Sequence, residues 1–289
     1  MLSIKTSAST SNLGPGFDCL GMALDLFNHF EVELSDHDEL INVEAQYNNP
    51  DNLFLKAYHK AMELIGKDDH VRVCFDCEVP TSRGLGSSST LIVGGITAAS
   101  ALHDNALSRD QIFQLASQME GHPDNASPCV FGGFQASMKR EDRIFIHHSL
   151  SIHPEFVLTV FIPDFEVETA KARAILPDSY TRQIAAANGA KAILTVKALE
   201  NGDLDLLKEA AKDEIHEPYR KTLIHEFAEV EKIFKENTNG VLLISGSGST
   251  LLGISMNTFT AYDKMENLKH KWQAKQVGVH YKGVEVYEI

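Results

Sequence analysis

The sequence predicts an α+β fold in two lobes, and three observations carry that expectation. Strand-like and helix-like segments mix without the strict alternation of a parallel α/β sheet. A polar, charged stretch from Arg140 to Pro154 divides the chain, just ahead of a strongly buried strand pattern at Phe156 to Ile162. At 289 residues there is length for two ordinary domains with ample core. The expected lobes are residues 1–150 and 151–289.

Taken in order, Met1 to Thr6, His29 to Leu34 and Val71 to Val79 alternate at strand period. Pro50-Asp51-Asn52 precedes Leu53, Ala57, Ala61 and Ile65 at helical spacing, with Gly66 as the stop. A nearly all-apolar helix is expected from about Gly86 to Leu102, and a helix that apolar must be central to the core. Ser108-Arg109-Asp110-Gln111 is a capping box; the helix it starts has Ile112, Leu115, Ala116 and Met119 on one face and ends at Glu120-Gly121. A polar loop, H-P-D-N-A-S-P from His122 to Pro128, follows. Beyond the buried strand, helices are expected at about 168–176, 179–200, 203–215 and 219–237, then strand, helix and strand to the end.

Composition limits the functions. A formal charge of −14 argues against nucleic-acid and anionic-membrane partners, since both need a basic footprint. The apolar run Leu91 to Leu102 is too short and too interrupted to span a bilayer. The first ten residues lack the apolar run of a secretory signal, which predicts a cytoplasmic protein. Cys74 and Cys77 share a strand pattern and project from opposite faces, so they make neither metal clip nor redox pair. All four cysteines (Cys19, Cys74, Cys77 and Cys129) read as small core residues.

Three stretches look like chemistry. In Pro80-Thr81-Ser82-Arg83-Gly84-Leu85-Gly86-Ser87-Ser88-Ser89-Thr90, two glycines and a row of hydroxyls open the apolar helix. A Walker loop would need a lysine, and a Rossmann loop a third glycine where Ser89 stands. What remains is an uncapped helix N-terminus, which favours an anion, or a serine-rich cap with packing glycines. The second stretch, Ala8 to Ala23, flanks a Gly14-Pro15-Gly16 turn with Asn12 and Asp18, either turn caps or ligands. The third, Glu120 to Asn125, sets one imidazole and two carboxylates together, a set suited to a divalent cation or a hydroxylated substrate. A second glycine-rich turn, Ser245 to Thr250, follows a strand far downstream.

Together these segments resemble the GHMP family of small-molecule kinases. The family's three motifs stand in order as A-S-T-S-N-L-G-P-G-F-D, P-T-S-R-G-L-G-S-S-S-T and S-G-S-G-S-T, and the resemblance spans the chain. The G-H-P-D-N and G-F-D segments point to the branch that phosphorylates L-homoserine. The resemblance implies a first lobe like ribosomal protein S5 domain 2 and a second like a ferredoxin fold. It implies ATP and Mg²⁺, with the loop Pro80–Thr90 around the triphosphate and Asn52 near the nucleotide. Asn12, Asp18, His122, Arg173 and Arg220 match amino-acid-binding positions. Asp18 suits an ammonium and an arginine fork a carboxylate; mevalonate and sugar substrates of sister kinases lack that ammonium.

Ser88 and Glu120 are the expected Mg²⁺ ligands. The family's spacing of eleven residues before the loop's asparagine lands on Gln114, which implies either a shortened loop with Glu120 in the role, the reading favoured, or weaker metal binding carried mainly by the phosphates. Some members carry an aspartate base where this chain has Asn125, so Asn125 is expected to orient the hydroxyl with no strong general base. A non-catalytic binding member and a homodimer both remain open at this point.

Overall fold

A computed structural model describes all residues, Met1–Ile289. The first lobe runs β1 (Leu2–Ser11), β2 (Leu20–Ser35), β3 (Glu39–Ile41), α1 (Leu53–Ile65), β4 (His70–Cys77), α2 (Ser87–Leu102), α3 (Arg109–Glu120), α4 (Ala126–Phe131), β5 (Phe134–Lys139) and β6 (Phe145–Leu150). The second runs β7 (Val157–Pro163), α5 (Thr169–Ala174), α6 (Arg182–Asn201), α7 (Leu204–Ala210), α8 (Glu217–Arg220) and α9 (Phe227–Thr238). It continues through β8 (Val241–Ile244), β9 (Leu251–Ser255), α10 (Tyr262–Met265) and β10 (Trp272–Val277), and β11 (Glu285–Glu288) ends the chain.

The fold is the expected α+β pair of lobes. Its second sheet has the order β10-β7-β9-β8, every neighbour antiparallel. Counted within the lobe this is fourth, first, third, second, the ferredoxin arrangement. The first sheet runs β11-β1-β2-β4-β3, with β5 on β2 and β6 on β5. The long β2 makes this branching: its start pairs with β5 and its end with β4, while β1 lies along its other edge.

Local signals explain the helices around the site. Asn52 caps α1 by accepting from Phe54 N–H, and Gly66 ends it in the left-handed region at φ 75°. Ser108 and Gln111 form the reciprocal capping box of α3. The apolar α2 is buried along most of its length, packed between the first sheet and α1. Gly94 and Gly95 permit the approach: a Cβ on Gly95 would lie 2.2 Å from the Phe54 carbonyl oxygen.

A second core crosses the lobe boundary. Ala8, Leu20, Met22 and Leu24 of the first sheet pack with Leu158, Val160, Leu252 and Ile254 of the second. The chain also crosses back: β11, in the segment assigned by sequence to the second lobe, pairs with β1 through Leu2–Glu288 to Lys5–Glu285.

Other expectations are corrected. The polar stretch after Arg140 contains β6, an edge strand whose half-solvated face hides its pattern. The loop after α3 is shorter than read, since α4 starts at Ala126. The helix expected at 219–237 is broken by Glu226 at φ 58°, leaving short α8 and a separate α9. Among the cysteines only Cys129 is buried; Cys19 and Cys74 are half-buried and Cys77 is exposed.

Gly95→Ala should destabilise the protein by about 1–3 kcal/mol, because backbone rather than a mobile side chain blocks the added methyl. Gly189, mid-α6 with nothing within 4 Å of its would-be Cβ, should gain about 0.5–1 kcal/mol on replacement by Ala. Urea unfolding of both variants checks the pair, and a neutral Gly95→Ala would contradict the close α1–α2 contact.

Candidate active site

A cleft of about 310 Å³ opens where the lobes meet, lined by the start of α2, the β1–β2 turn, the α3–α4 loop, α5, α8 and Gly246-Ser247. Past shared walls at Leu53, Thr81, Ser87 and Ser88 it continues into a compartment of about 550 Å³, bounded by residues that include Asn42, Val43, Tyr47 and Phe75.

The head of α2 forms one wall. Gly86, at φ 67°, precedes the helix, no side chain caps it, and its first turn holds no acidic residue. Thr90 N–H makes the first helical bond, to Gly86 O at 3.0 Å, so the amides before it lack a helical acceptor. Gly86, Ser87, Ser88 and Ser89 all line the cleft. An uncapped helix N-terminus there is an anion site.

The second glycine-rich turn braces this loop. A Cβ on Gly84 (φ 72°) would sit 2.2 Å from Ser245 O, so the two turns touch backbone to backbone. Ser245 Oγ donates to Gly84 O (2.7 Å), Thr250 N–H to Arg83 O (3.0 Å) and Gly246 N–H to Ser11 O (3.1 Å). Arg83, expected among the phosphate contacts, straps the loop to the second lobe. Its nitrogens reach the carbonyls of Pro163, Thr81 and Asp164 at 3.0 Å, and Glu166 at 3.0 Å. Thr81, Ser82, Arg83 and Gly84 line the cleft, whereas Pro80, Leu85 and Thr90 do not. Leu85 is core, and Thr90 Oγ1 accepts from Asn28 (2.8 Å) while donating to Ser87 O (2.7 Å).

Charged groups form the opposite wall. Arg173 grips Asp18 with both terminal nitrogens, at 2.7 and 3.0 Å. Arg220 is 2% exposed and donates to Ala172 O (3.1 Å) and Gly246 O (2.9 Å), with no carboxylate within ion-pair distance. Burial, and then the charge of Arg173, pull its pKa down to about 10, which still leaves it a cation at neutral pH. Phe17 lies beneath both guanidinium groups, at 5.7 and 5.1 Å. Asn12 lines the cleft with its amide engaged: Nδ2 donates to Gly246 O (2.9 Å) and Oδ1 accepts from Asp18 N–H (3.0 Å).

The end of α3 and the loop after it supply two further acids, Glu120 and Asp124. Glu120 borders the cleft and accepts from Ser89 Oγ at 2.6 Å. Its desolvation is the largest influence and raises its pKa to about 7, against lowering by His122 and Ser89. Gln114 lies elsewhere, bonding both backbone groups of Phe145 (2.7 and 2.9 Å), so Glu120 is the acid at the cleft. Ser88, the expected metal ligand, is exposed on the wall shared by both compartments; its neighbour Ser89 is the one that meets Glu120.

His122 Nδ1 and Asp124 Oδ1 lie 2.5 Å apart. Burial pushes each toward its neutral form, but their contact prevails: Asp124 is lowered and His122 raised. Asn125 holds Ser9 Oγ (2.9 Å) and Ser11 Oγ (3.1 Å) beside Gly86. Asn52 stands at the second compartment with its amide bonded to Phe54 N–H and Tyr47 O.

Sequence reasoning left several cleft residues unassigned. Asp124 was in view as one of two carboxylates beside an imidazole. Ser11 extends the first motif's hydroxyls, and Ser247 belongs to the late glycine turn. Thr169, at the head of α5, offered no sequence signal; it lies 3.3 Å from Ser247.

Comparisons with known proteins define the family. Residues 52–133 match the GHMP kinases N terminal domain and residues 195–277 the GHMP kinases C terminal domain. The chain therefore belongs to the GHMP kinases. Within them it groups with the homoserine kinases: it is 36% identical to the homoserine kinase of Clostridium botulinum (strain ATCC 19397 / Type A), over 99% of this chain and 98% of that one. A Synechococcus homoserine kinase is 37% identical over 96% and 92%. The fold matches the crystal structure of homoserine kinase from Cytophaga hutchinsonii with a TM-score of 0.87 at 24% identity, covering 99% of this chain and 97% of that one.

The shift of Glu120 sets a pH-dependent stability. The folded, ligand-free protein keeps a proton there that the unfolded chain releases above about pH 4.5. The stabilisation is thus full in acid and fades as pH rises through about 7. Glu120→Gln should exceed wild type by about 1–2 kcal/mol near pH 8 and gain little near pH 5. Urea unfolding at both pH values measures this; equal gains would mean that Glu120 is not the titrating group.

Proposed function

We infer that this protein is an ATP-dependent homoserine kinase that converts L-homoserine to O-phospho-L-homoserine, a step toward threonine, in a cytoplasmic setting. No helix of the chain is long and apolar enough to cross a membrane. The observation that carries the reading is Arg220: a buried cation without a carboxylate partner, facing the same cleft as an uncapped helix N-terminus. One calls for a carboxylate and the other for a phosphate.

The nucleoside end of ATP fits the larger compartment, with its phosphates at the amides of Gly86 to Ser89. The amino acid lies against α5 and α8, its carboxylate on Arg220 and its ammonium at Asp18. The Arg173–Asp18 fork is neutral in itself, so a zwitterion adds to it without leaving a surplus charge. Glu120 and Ser88 are the oxygen donors suited to Mg²⁺: a half-buried carboxylate that accepts one hydroxyl hydrogen, and an exposed hydroxyl on the same wall. Bound there, Mg²⁺ would offset charge on the phosphate oxygens.

In the reaction the substrate hydroxyl oxygen bonds to the γ-phosphorus as the bond to ADP breaks. Asp124 is engaged by His122, and Asn125 is an amide that carries no basic group, so neither serves as a strong base. The hydroxyl proton leaves late, to an oxygen of the transferred phosphoryl group, and catalysis rests on positioning and charge.

An ADP-release assay over L-homoserine, mevalonate and sugar alcohols tests the assignment; turnover of mevalonate without homoserine would overturn it. Arg220→Ala should raise the homoserine KM about 10- to 100-fold while the ATP KM moves less than about threefold. Equal effects on both would remove the carboxylate role.

A further inference from the structure

An arginine that binds a carboxylate must be aimed, and Arg220 sits at the end of a helix only four residues long. Its Nε and one terminal nitrogen are fixed by carbonyls of Ala172 and Gly246. That same terminal nitrogen lies 3.4 Å from His216 Nδ1, just before α8.

The imidazole of His216 is fully buried, and its Nε2 is 2.9 Å from the carbonyl oxygen of Gly14. A carbonyl only accepts, so Nε2 carries the hydrogen, and Nδ1 then presents a lone pair to Arg220. The other tautomer would set N–H against N–H at one end and acceptor against acceptor at the other. Burial holds the ring neutral, with its pKa down at about 4; Asp213 pulls upward and the charge of Arg220 downward. Asp213 accepts from the backbone N–H of His216 and of Glu217, both at 2.7 Å, which fixes where α8 begins. Phe17 stacks on the imidazole at 5.3 Å and also underlies the Arg220 guanidinium. Gly14 and Phe17 come from the β1–β2 turn of the first lobe, and Arg220 from the second.

We propose that His216 is a positioning residue for homoserine: its Nε2–H tautomer ties the Gly14-Pro15-Gly16 turn to Arg220 and aims the guanidinium at the substrate carboxylate. The proposal rests on the homoserine kinase reading and deepens it. His216 never touches the substrate; it acts through Arg220.

The test compares L-homoserine with aminopropanol, which is homoserine without its carboxylate. In His216→Ala the homoserine KM should rise about tenfold, with the ATP KM and kcat within about threefold, and the preference for homoserine over aminopropanol should fall about tenfold. His216→Gln offers a donor and an acceptor at similar reach and should restore most of that preference. The double variant His216→Ala/Arg220→Ala should be no worse than Arg220→Ala alone. An unchanged preference in a folded His216→Ala, or penalties that multiply, would overturn the proposal. Nitrogen NMR on the unaltered protein should show the neutral Nε2–H tautomer near neutral pH; a charged ring or the opposite tautomer would overturn it without any variant. If wild type turns over homoserine and Arg220→Ala raises its KM, the function stands whatever His216 does. If wild type fails with homoserine, both fall.

Discussion

The first turn of α2 carries no side-chain cap, and a helix end in that state lacks hydrogen-bond partners of its own; on the proposed function its backbone amides meet a polyphosphate. Much of the surrounding structure braces it. On one side Ser9 N–H of β1 donates to Leu85 O at 3.0 Å. On another, the late glycine turn interlocks with Gly84 and bonds to it through Ser245. Across the lobe boundary Arg83 straps the loop to the end of β7. A lysine-containing phosphate loop brings a mobile charge to its ligand. Here the donors are backbone, so the loop must be held where they are useful.

That requirement explains why the lobes are joined so thoroughly. Phosphoryl transfer depends on placing a hydroxyl in line with the γ-phosphorus, and small misplacements are costly. The uncapped helix end proposed for the phosphates belongs to the first lobe, while Arg173 and Arg220 belong to the second. Between them run a shared apolar core, the returning β11, and direct polar ties such as Asn12 to Gly246 and Asp18 to Arg173. Each of the three motifs has a glycine where another backbone lies against it: Gly14 against Ala211 O, and Gly84 and Gly246 against the Ser245 and Gly84 carbonyls, all three at positive φ.

Local order was readable in the sequence because local rules produce it. The Asn52 cap, the Ser108 capping box, the Gly66 stop and the apolar length of α2 each depend on residues within one or two turns. What depends on distant partners was not readable. β6 pairs at a half-solvated edge, and β11 finds β1 from the far end of the chain. The same division runs through the site. Glycine and serine spacing marks the anion loop, but not that Ser89 rather than Ser88 would meet Glu120. Residue type singles out Arg83, yet two of the carbonyls its fork faces, those of Pro163 and Asp164, come from the second lobe. Counting along the chain cannot choose between Gln114 and Glu120, because that choice is made by which side of α3 faces β6.

Electrostatics complete the account of how a chain of net charge −14 accommodates a polyanion. The global field opposes the ligand, so the attraction must be local and poorly screened, which means buried. Burial acts on Arg220 and Glu120 in opposite directions along the pH scale, in each case toward neutrality. Glu217 is pushed to about 7 as well, but Lys221 and the Ile244 N–H serve it away from the cleft. Arg220 and Glu120 differ because they border the cleft, where a carboxylate and a divalent cation can complete them. The local structure therefore favours a zwitterionic alcohol over a neutral one: only the zwitterion brings both the anion that Arg220 lacks and a cation for the Asp18 side of the pair.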